Sequence, residues 1–202
     1  MKVRLKLLLA AASVTAMQAA DKVTFLRDVA PILNKVGCTS GPCHGAAKGK
    51  NGFKLSLRGY DPEFDYQALL YDLSGRRFNR SDPGRSLMLA KPTQEVAHGG
   101  GLRIEPGSKY YTTIFNWIEQ GVPFGDPAKD KVERVEMQPA EVEMAKPGLE
   151  QQVKVIAHYL DGAVRDVTKE AVIASNIPDT ADVNNDAVVK GIRIGEAKPG
   201  DP

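Results

Sequence analysis

The first hydrophobic pattern downstream of the chain's start has helical spacing. Apolar side chains recur three or four positions apart over 25–36, and a second face of this kind covers 66–73. A third apolar face follows Ser108, which could cap a helix, and it stops at Gly121. The pattern therefore predicts three helices that are separated by irregular segments.

After about residue 134 the pattern changes to short strands between turn signals. Asp161 and Gly162 form a dipeptide that is typical of a tight hairpin. His158 lies on the strand before this turn, and we interpret it as a structural residue. Several short strands at this spacing predict a small β-sandwich. The predicted strands cover 153–159, 163–167, 172–175, 181–183 and 188–194.

The two patterns predict a multi-domain protein. An all-α domain over 23–127 is expected, then a charged linker over 128–134, then a small all-β domain over 135–202. Residues 1–20 combine basic residues, a short apolar stretch and small residues, as in a secretory signal peptide. The apolar stretch is short for a bilayer span. We expect an exported mature chain without membrane insertion.

Charge and motifs exclude several function classes. The formal net charge is +2 at pH 7, and loss of the three cations in 1–20 would leave −1. A nearly neutral protein gives no electrostatic reason to expect nucleic acid or an anionic membrane as a partner. The sequence has no phosphate-binding glycine pattern, nucleophile elbow or metalloprotease helix. Four arginines, Arg76, Arg77, Arg80 and Arg85, are interpreted as a solvated face, with an anionic contact as the alternative.

The candidate chemistry is concentrated in 37–45, which reads GCTSGPCHG. It contains the only two cysteines of the chain, Cys38 and Cys43, and His44 follows the second directly. Two thiols with an adjacent histidine can bind haem covalently and ligate its iron. The usual spacing has two residues between the cysteines, whereas this chain has four. A Cys38–Cys43 disulfide or a zinc site are the alternatives.

Residues 23–125 resemble the cytochrome c-like domain at the amino end of large, exported planctomycete proteins. The resemblance rests on 37–50 (GCTSGPCHGAAKGK), 52–65 (GFKLSLRGYDPEFD), 95–101 (EVAHGGG) and 117–123 (WIEQGVP). In that family, too, four residues can separate the cysteines. The resemblance implies an all-α domain with haem c bound by Cys38 and Cys43 and with His44 as the proximal iron ligand. It places the distal ligand at His98, with Met88 as the alternative.

Residues 135–197 resemble a bacterial immunoglobulin-like domain of group 2. This resemblance rests on Pro147-Gly148, 159–162 (YLDG), 165–168 (RDVT) and Gly195-Glu196. It implies an immunoglobulin-like sandwich that lacks its last strand and leaves one sheet edge unpaired.

Together these features predict a periplasmic or otherwise extracytoplasmic c-type cytochrome that carries one haem. We expect it to transfer single electrons to a redox partner protein or to further domains of a larger homologue, rather than to act as an enzyme. The alternative is an exported binding or adhesion module without haem, closed by the Cys38–Cys43 disulfide. A haem with an open coordination position is a third possibility, if neither His98 nor Met88 binds iron.

Overall fold

The structure, a computed structural model, describes residues 22–199, so the predicted signal peptide lies outside the described residues. Five short α-helices occupy its first part: α1 (Ala30–Lys35), α2 (Pro62–Tyr71), α3 (Leu87–Ala90), α4 (Lys109–Glu119) and α5 (Pro127–Asp130). A π-helical turn at Phe25–Val29 leads directly into α1. A second π-helical turn, with a non-helical backbone at Cys43, lies at Gly41–Gly45. Tighter 3-10 turns lie at Leu57–Gly59 and Pro83–Arg85.

The three predicted helical faces form helices, and local side chains explain where they begin and end. The hydroxyl of Ser108 accepts a hydrogen bond from the backbone N–H of Tyr111 at 3.3 Å, so the predicted cap of α4 is confirmed. After α1 and α4 the chain turns away at Gly37 and Gly121, whose φ angles are +82° and +85°. These angles favour glycine, and they prevent either helix from continuing.

In the described part of the chain, six strands form two separate antiparallel sheets. The strands are β1 (Val132–Gln138), β2 (Glu150–Gln152), β3 (Lys154–Tyr159), β4 (Val164–Asp166), β5 (Ala181–Val183) and β6 (Val188–Gly191). One sheet has the order β1-β3-β4 and the other the order β2-β6-β5. The predicted hairpin at Asp161-Gly162 joins β3 to β4, with Ala157 opposite Arg165. Strands β3 to β6 therefore confirm four of the five predicted strands.

Three details of the β part differ from the prediction. The predicted strand at 172–175 does not form, apart from an isolated bridge between Ser175 and Pro199. Strands β1 and β2 were not predicted, because their side chains are mostly exposed and polar and lack a clear apolar alternation. The expected linker at 128–134 holds the end of α5 and the beginning of β1, which pairs with β3.

The predicted fold class, an all-α cytochrome domain followed by an all-β sandwich, is wrong. The described chain is mixed, with 29% of it in short helices and 17% in strands of two small antiparallel sheets. Only α2 and α4 reach ten residues or more, at 10 and 11 residues. Glycine, proline and residues with positive φ interrupt the helical part so often that much of it is irregular chain.

The main hydrophobic core lies in the helical part. Trp117 of α4 is fully buried, donates its indole N–H to the carbonyl oxygen of Pro123 at 3.0 Å, and packs on Phe25 at 5.7 Å between ring centroids. Around it are the other buried residues of this core, Val29, Ile32, Leu33, Leu55, Ala68, Leu69, Met88, Leu89, Ile104, Ile114, Ile118 and Val122. This core fixes the segments that carry the candidate site.

The β part contacts the π-helical turn and α1. The Arg27 guanidinium in this turn binds Asp161, between β3 and β4, at 2.5 Å, and it also binds Asp130 of α5 at 2.8 Å. At the end of α1, the Lys35 ammonium donates hydrogen bonds to the carbonyl oxygens of Ala171 and Asn185 at 2.6 and 2.8 Å. The β part thus supports the helix that leads into the cysteine segment. No helix within 22–199 has the length and apolar character needed to cross a membrane.

Candidate haem-binding site

A cleft opens in the helical part beside the cysteine segment. Its free space is about 1000 Å³ when the part open to solvent is included. The lining is mainly apolar, and it includes Leu33, Leu55, Leu69, Leu87 and Ile104. Four of the five predicted site residues, Cys38, His44, Met88 and His98, lie in this lining. The fifth, Cys43, lines a smaller pocket together with His44 and His98.

Backbone hydrogen bonds close the cysteine segment into a loop. The N–H of Cys38 donates to the carbonyl oxygen of Leu33 at 2.9 Å, at the end of α1. The N–H of His44 donates to the carbonyl oxygen of Cys38 at 3.0 Å, which brings the two ends of the motif together. The four residues between the cysteines form a compact turn, so the longer spacing does not separate Cys38 from the Cys43-His44 pair.

Gly45 makes this loop possible. A Cβ atom at this position would lie 2.0 Å from the carbonyl oxygen of Thr39 and 2.8 Å from its carbonyl carbon. Both are backbone atoms of the same loop, and they cannot move aside as the end of a flexible side chain could. Only glycine fits here, which explains why it follows His44.

The two thiols are free, and they differ in environment. Burial raises the pKa of the Cys38 thiol to about 12, and the neighbouring Cys43 contributes in the same direction. The guanidinium of Arg103 lies 4.0 Å from the sulfur of Cys43. In the protein without a bound group, burial therefore favours the uncharged thiol of Cys38 at neutral pH. No cluster of three or more His, Cys, Asp or Glu side chains with metal-ligand geometry exists within 22–199.

His44 is held with one ring nitrogen available. Its Nδ1 lies 3.1 Å from the carbonyl oxygen of Phe53, and because a carbonyl only accepts hydrogen bonds, Nδ1 carries the proton. Burial lowers the pKa of His44, which favours the neutral ring. A neutral imidazole with a protonated Nδ1 has its lone pair on Nε2. Metal-ligating histidines in proteins are commonly oriented in this way, with the other ring N–H donated to a backbone carbonyl.

His98 has the same arrangement on another loop. Its Nδ1 lies 3.0 Å from the carbonyl oxygen of Gly101, so its Nε2 is also available. A Cβ atom at Gly100 would lie 2.8 Å from Cε1 of the His98 ring, and the glycine makes room for that ring.

Met88 lies in α3 and is 9% exposed. Its side chain belongs to the hydrophobic core, and its backbone N–H donates to the carbonyl oxygen of Arg77 at 3.1 Å. No second contact orients its sulfur in the way that Gly101 orients His98. The geometry therefore favours His98 over Met88 as a distal ligand.

Two residues of this region were missed in the sequence. Phe53 supplies the carbonyl for His44 and also packs on its ring, with 4.8 Å between centroids. Arg77 was grouped with three exposed arginines as a solvated face, but it is only 7% exposed and lines the cleft. No local pattern marks it, because its burial depends on how Phe53 and the end of α2 pack around it in the fold.

The donor set and the charges fit a haem. The charged groups of the lining other than histidine are all cations, Lys50, Arg76, Arg77 and Lys91, and none forms an ion pair with a described residue. A haem would bring two propionate groups to such a site. No protein-family model and no curated protein matches this sequence. The resemblance to cytochrome domains therefore stays a prediction, and the functional argument depends on the residues of the cleft.

Proposed function

We propose that this protein is an exported, extracytoplasmic carrier of one covalently bound haem c, which transfers single electrons. The observation that carries the proposal is the convergence of two histidines on one apolar cleft, each with Nδ1 fixed by a backbone carbonyl. The free thiols of Cys38 and Cys43 lie on the same loop as the first of these histidines. Two sulfurs, two available Nε2 atoms and an apolar lining are the groups that a bis-histidine c-type haem requires.

Each residue has a definite part in this proposal. Cys38 and Cys43 would add their S–H groups across the two vinyl groups, so that each sulfur forms a carbon–sulfur bond and the proton goes to the neighbouring vinyl carbon. Nε2 of His44 and Nε2 of His98 would hold the iron. When bound, the haem supplies a metal centre that accepts or releases one electron. The apolar side chains around the cleft exclude water from that centre and set its dielectric environment.

The composition of the lining favours electron transfer over catalysis. It contains no Asp or Glu, and its two histidines are the expected iron ligands, so no carboxylate and no free imidazole remains as a general acid or base. An open coordination position for a small ligand would require that His98 does not bind. The electrons would pass to a redox partner protein or to further domains of a larger homologue.

The axial ligands can be tested by substitution after expression with a haem-attachment system. His98→Met should raise the midpoint potential, because a thioether replaces an imidazole. Met88→Leu is the matched control, since it removes a cleft-lining sulfur and conserves volume, and it should leave the potential unchanged. A shift with Met88→Leu and none with His98→Met would identify Met88 as the ligand instead.

The absorption spectrum separates this proposal from the alternative, a binding or adhesion module closed by a Cys38–Cys43 disulfide. An electron carrier should show a Soret band and give a pyridine haemochrome spectrum of the thioether type. A colourless protein without free thiols would support the module. Binding of carbon monoxide to the reduced protein would instead reveal an open coordination position.

A further inference from the structure

Arg77 is the only buried cation among the four that line the cleft. Its Nη1 donates hydrogen bonds to the carbonyl oxygens of Asp72 and Ala68, at 2.7 and 3.3 Å. These carbonyls belong to the C-terminal end of α2, so the guanidinium caps that helix. The adjacent Arg76 also lines the cleft but is exposed to solvent.

The flat face of the guanidinium of Arg77 stacks on Phe53. Its central carbon lies 3.6 Å from the centroid of the phenylalanine ring. Phe53 in turn contacts His44 twice, through its carbonyl oxygen at 3.1 Å from Nδ1 and through its ring. A continuous set of contacts therefore runs from α2 through Arg77 and Phe53 to the candidate iron ligand.

We propose that Arg77 is a positioning residue for the His44 imidazole, and that its buried charge raises the reduction potential of a haem held in the cleft. This inference rests on the proposed function. The planar guanidinium fixes the Phe53 segment by stacking, and that segment fixes the proton and the orientation of the imidazole. Arg77 forms no ion pair with a described residue. Since oxidised haem carries one more positive charge than reduced haem, a buried cation with no carboxylate partner from the described protein disfavours the oxidised form.

The test compares Arg77→Met and Arg77→Lys with Arg76→Met in haem-loaded full-length protein. Arg76→Met is the matched control, because it removes an adjacent cleft cation that is already screened by solvent. Two readouts are needed: the midpoint potential from a spectroelectrochemical titration, and the electron paramagnetic resonance spectrum of the oxidised haem, which reports the orientation of the axial imidazoles.

Arg77→Met should lower the midpoint potential and alter or broaden the resonance lines, whereas Arg76→Met should shift the potential clearly less and leave the resonance lines unchanged. Arg77→Lys keeps the charge but lacks the planar face, so its potential should stay closer to wild type while its resonance lines change. If Arg77→Met does not fold, Arg77→Lys decides the question alone, and wild-type resonance lines in it would overturn the inference.

A purely structural role would also be recognisable. Arg77→Met would then lower the denaturation midpoint but keep both the potential and the resonance spectrum of wild type, and this would overturn the inference. Equal shifts of the potential in Arg77→Met and Arg76→Met would overturn it as well. Failure of the proposed function has a different signature, since the wild-type protein itself would then contain no haem.

Discussion

The helical part and the β part of this protein are held together in different ways. The helical part buries a continuous core from Phe25 to Val122. In the β part the fully buried apolar side chains are few, namely Val153, Val155, Ala157, Tyr159 and Ala187. Its strands of three to seven residues depend on backbone pairing and on contacts with the helical part.

The larger core of the helical part explains why the candidate binding cleft lies there and not in the β part. A cleft exposes apolar surface and leaves polar groups without partners, and both cost stability. The helical part can tolerate this because its core is well packed on the other side of the same helices. The β part has a smaller core, and it contacts the π-helical turn through Arg27 and the end of α1 through Lys35. The predictions below test this division, from the largest expected effect to the smallest.

We expect the cysteine segment over 37–45 to tolerate substitutions less well than the rest of the helical part. Gly45→Ala places a Cβ atom against the backbone of Thr39, and we expect it to lower the free energy of unfolding of the haem-free protein by about 3 kcal/mol or more. Haem attachment should fail with it. The control is Gly41→Ala, where a Cβ atom meets nothing within 4 Å, and its effect should stay within about 0.5 kcal/mol. Equal denaturation midpoints for the two variants would contradict the account of the loop.

An isoleucine-to-alanine substitution in each part compares how much the two cores contribute to the free energy of unfolding. Ile114→Ala removes a fully buried side chain in α4 and should cost about 3 kcal/mol. Ile156→Ala removes a half-buried one in β3 and should cost about 1 kcal/mol. Both values come from urea denaturation followed by circular dichroism. A larger effect at Ile156 would show that the β part contributes more to stability than its burial indicates.

The junction between the parts depends on Arg27, whose guanidinium also lies 4.5 Å from the ring centroid of Tyr159. Arg27→Met should lower the free energy of unfolding by about 1 kcal/mol and make the β part more susceptible to proteolysis. Lys190→Met removes an exposed ion pair with Glu150, and it should have almost no effect. Equal proteolysis rates in the two variants would indicate that Arg27 does not hold the junction.

The same junction should respond weakly to acid. The hydrogen bond from Arg27, together with that from the N–H of Ala163, lowers the pKa of Asp161. A carboxyl group whose pKa is lower in the folded state stabilises the protein above its unfolded pKa of about 3.9, and this contribution is lost as the pH falls through the folded value. Denaturation between pH 6 and pH 3 should therefore show a small loss that is reduced in Arg27→Met. An identical pH profile in both proteins would contradict the assignment.

Strong local signals in the sequence predicted much of this fold. Ser108 and Gly121 mark the ends of the α4 region, and Asp161-Gly162 marks the β3–β4 hairpin, because a cap or a turn depends only on neighbouring residues. Strands β1 and β2 carry polar, exposed side chains, and only pairing with distant strands makes them strands. The overall class was wrong because apolar spacing indicates that a helix exists but not how short it will be between interruptions.

The candidate site, like the fold, was predicted only in part from the sequence. Cys38, Cys43, His44, His98 and Met88 were named from residue chemistry and from a family resemblance, and the structure places all five at the cleft or its adjoining pocket. The sequence does not reveal the partners that orient them. Phe53 acts on His44 through a backbone carbonyl, which every residue has. Arg77 is distinguished from Arg76 by its burial alone, and burial is a property of the assembled fold.

The most direct test of the central claim is the intact mass of the exported protein, made in a host with a haem-attachment system. We predict a mature chain that is heavier than its polypeptide by one haem, and the haem should remain bound after denaturation. A Cys38→Ala, Cys43→Ala double variant should have the mass of the polypeptide alone. A wild-type protein without added mass would contradict the account, because the cleft would then hold no covalent cofactor.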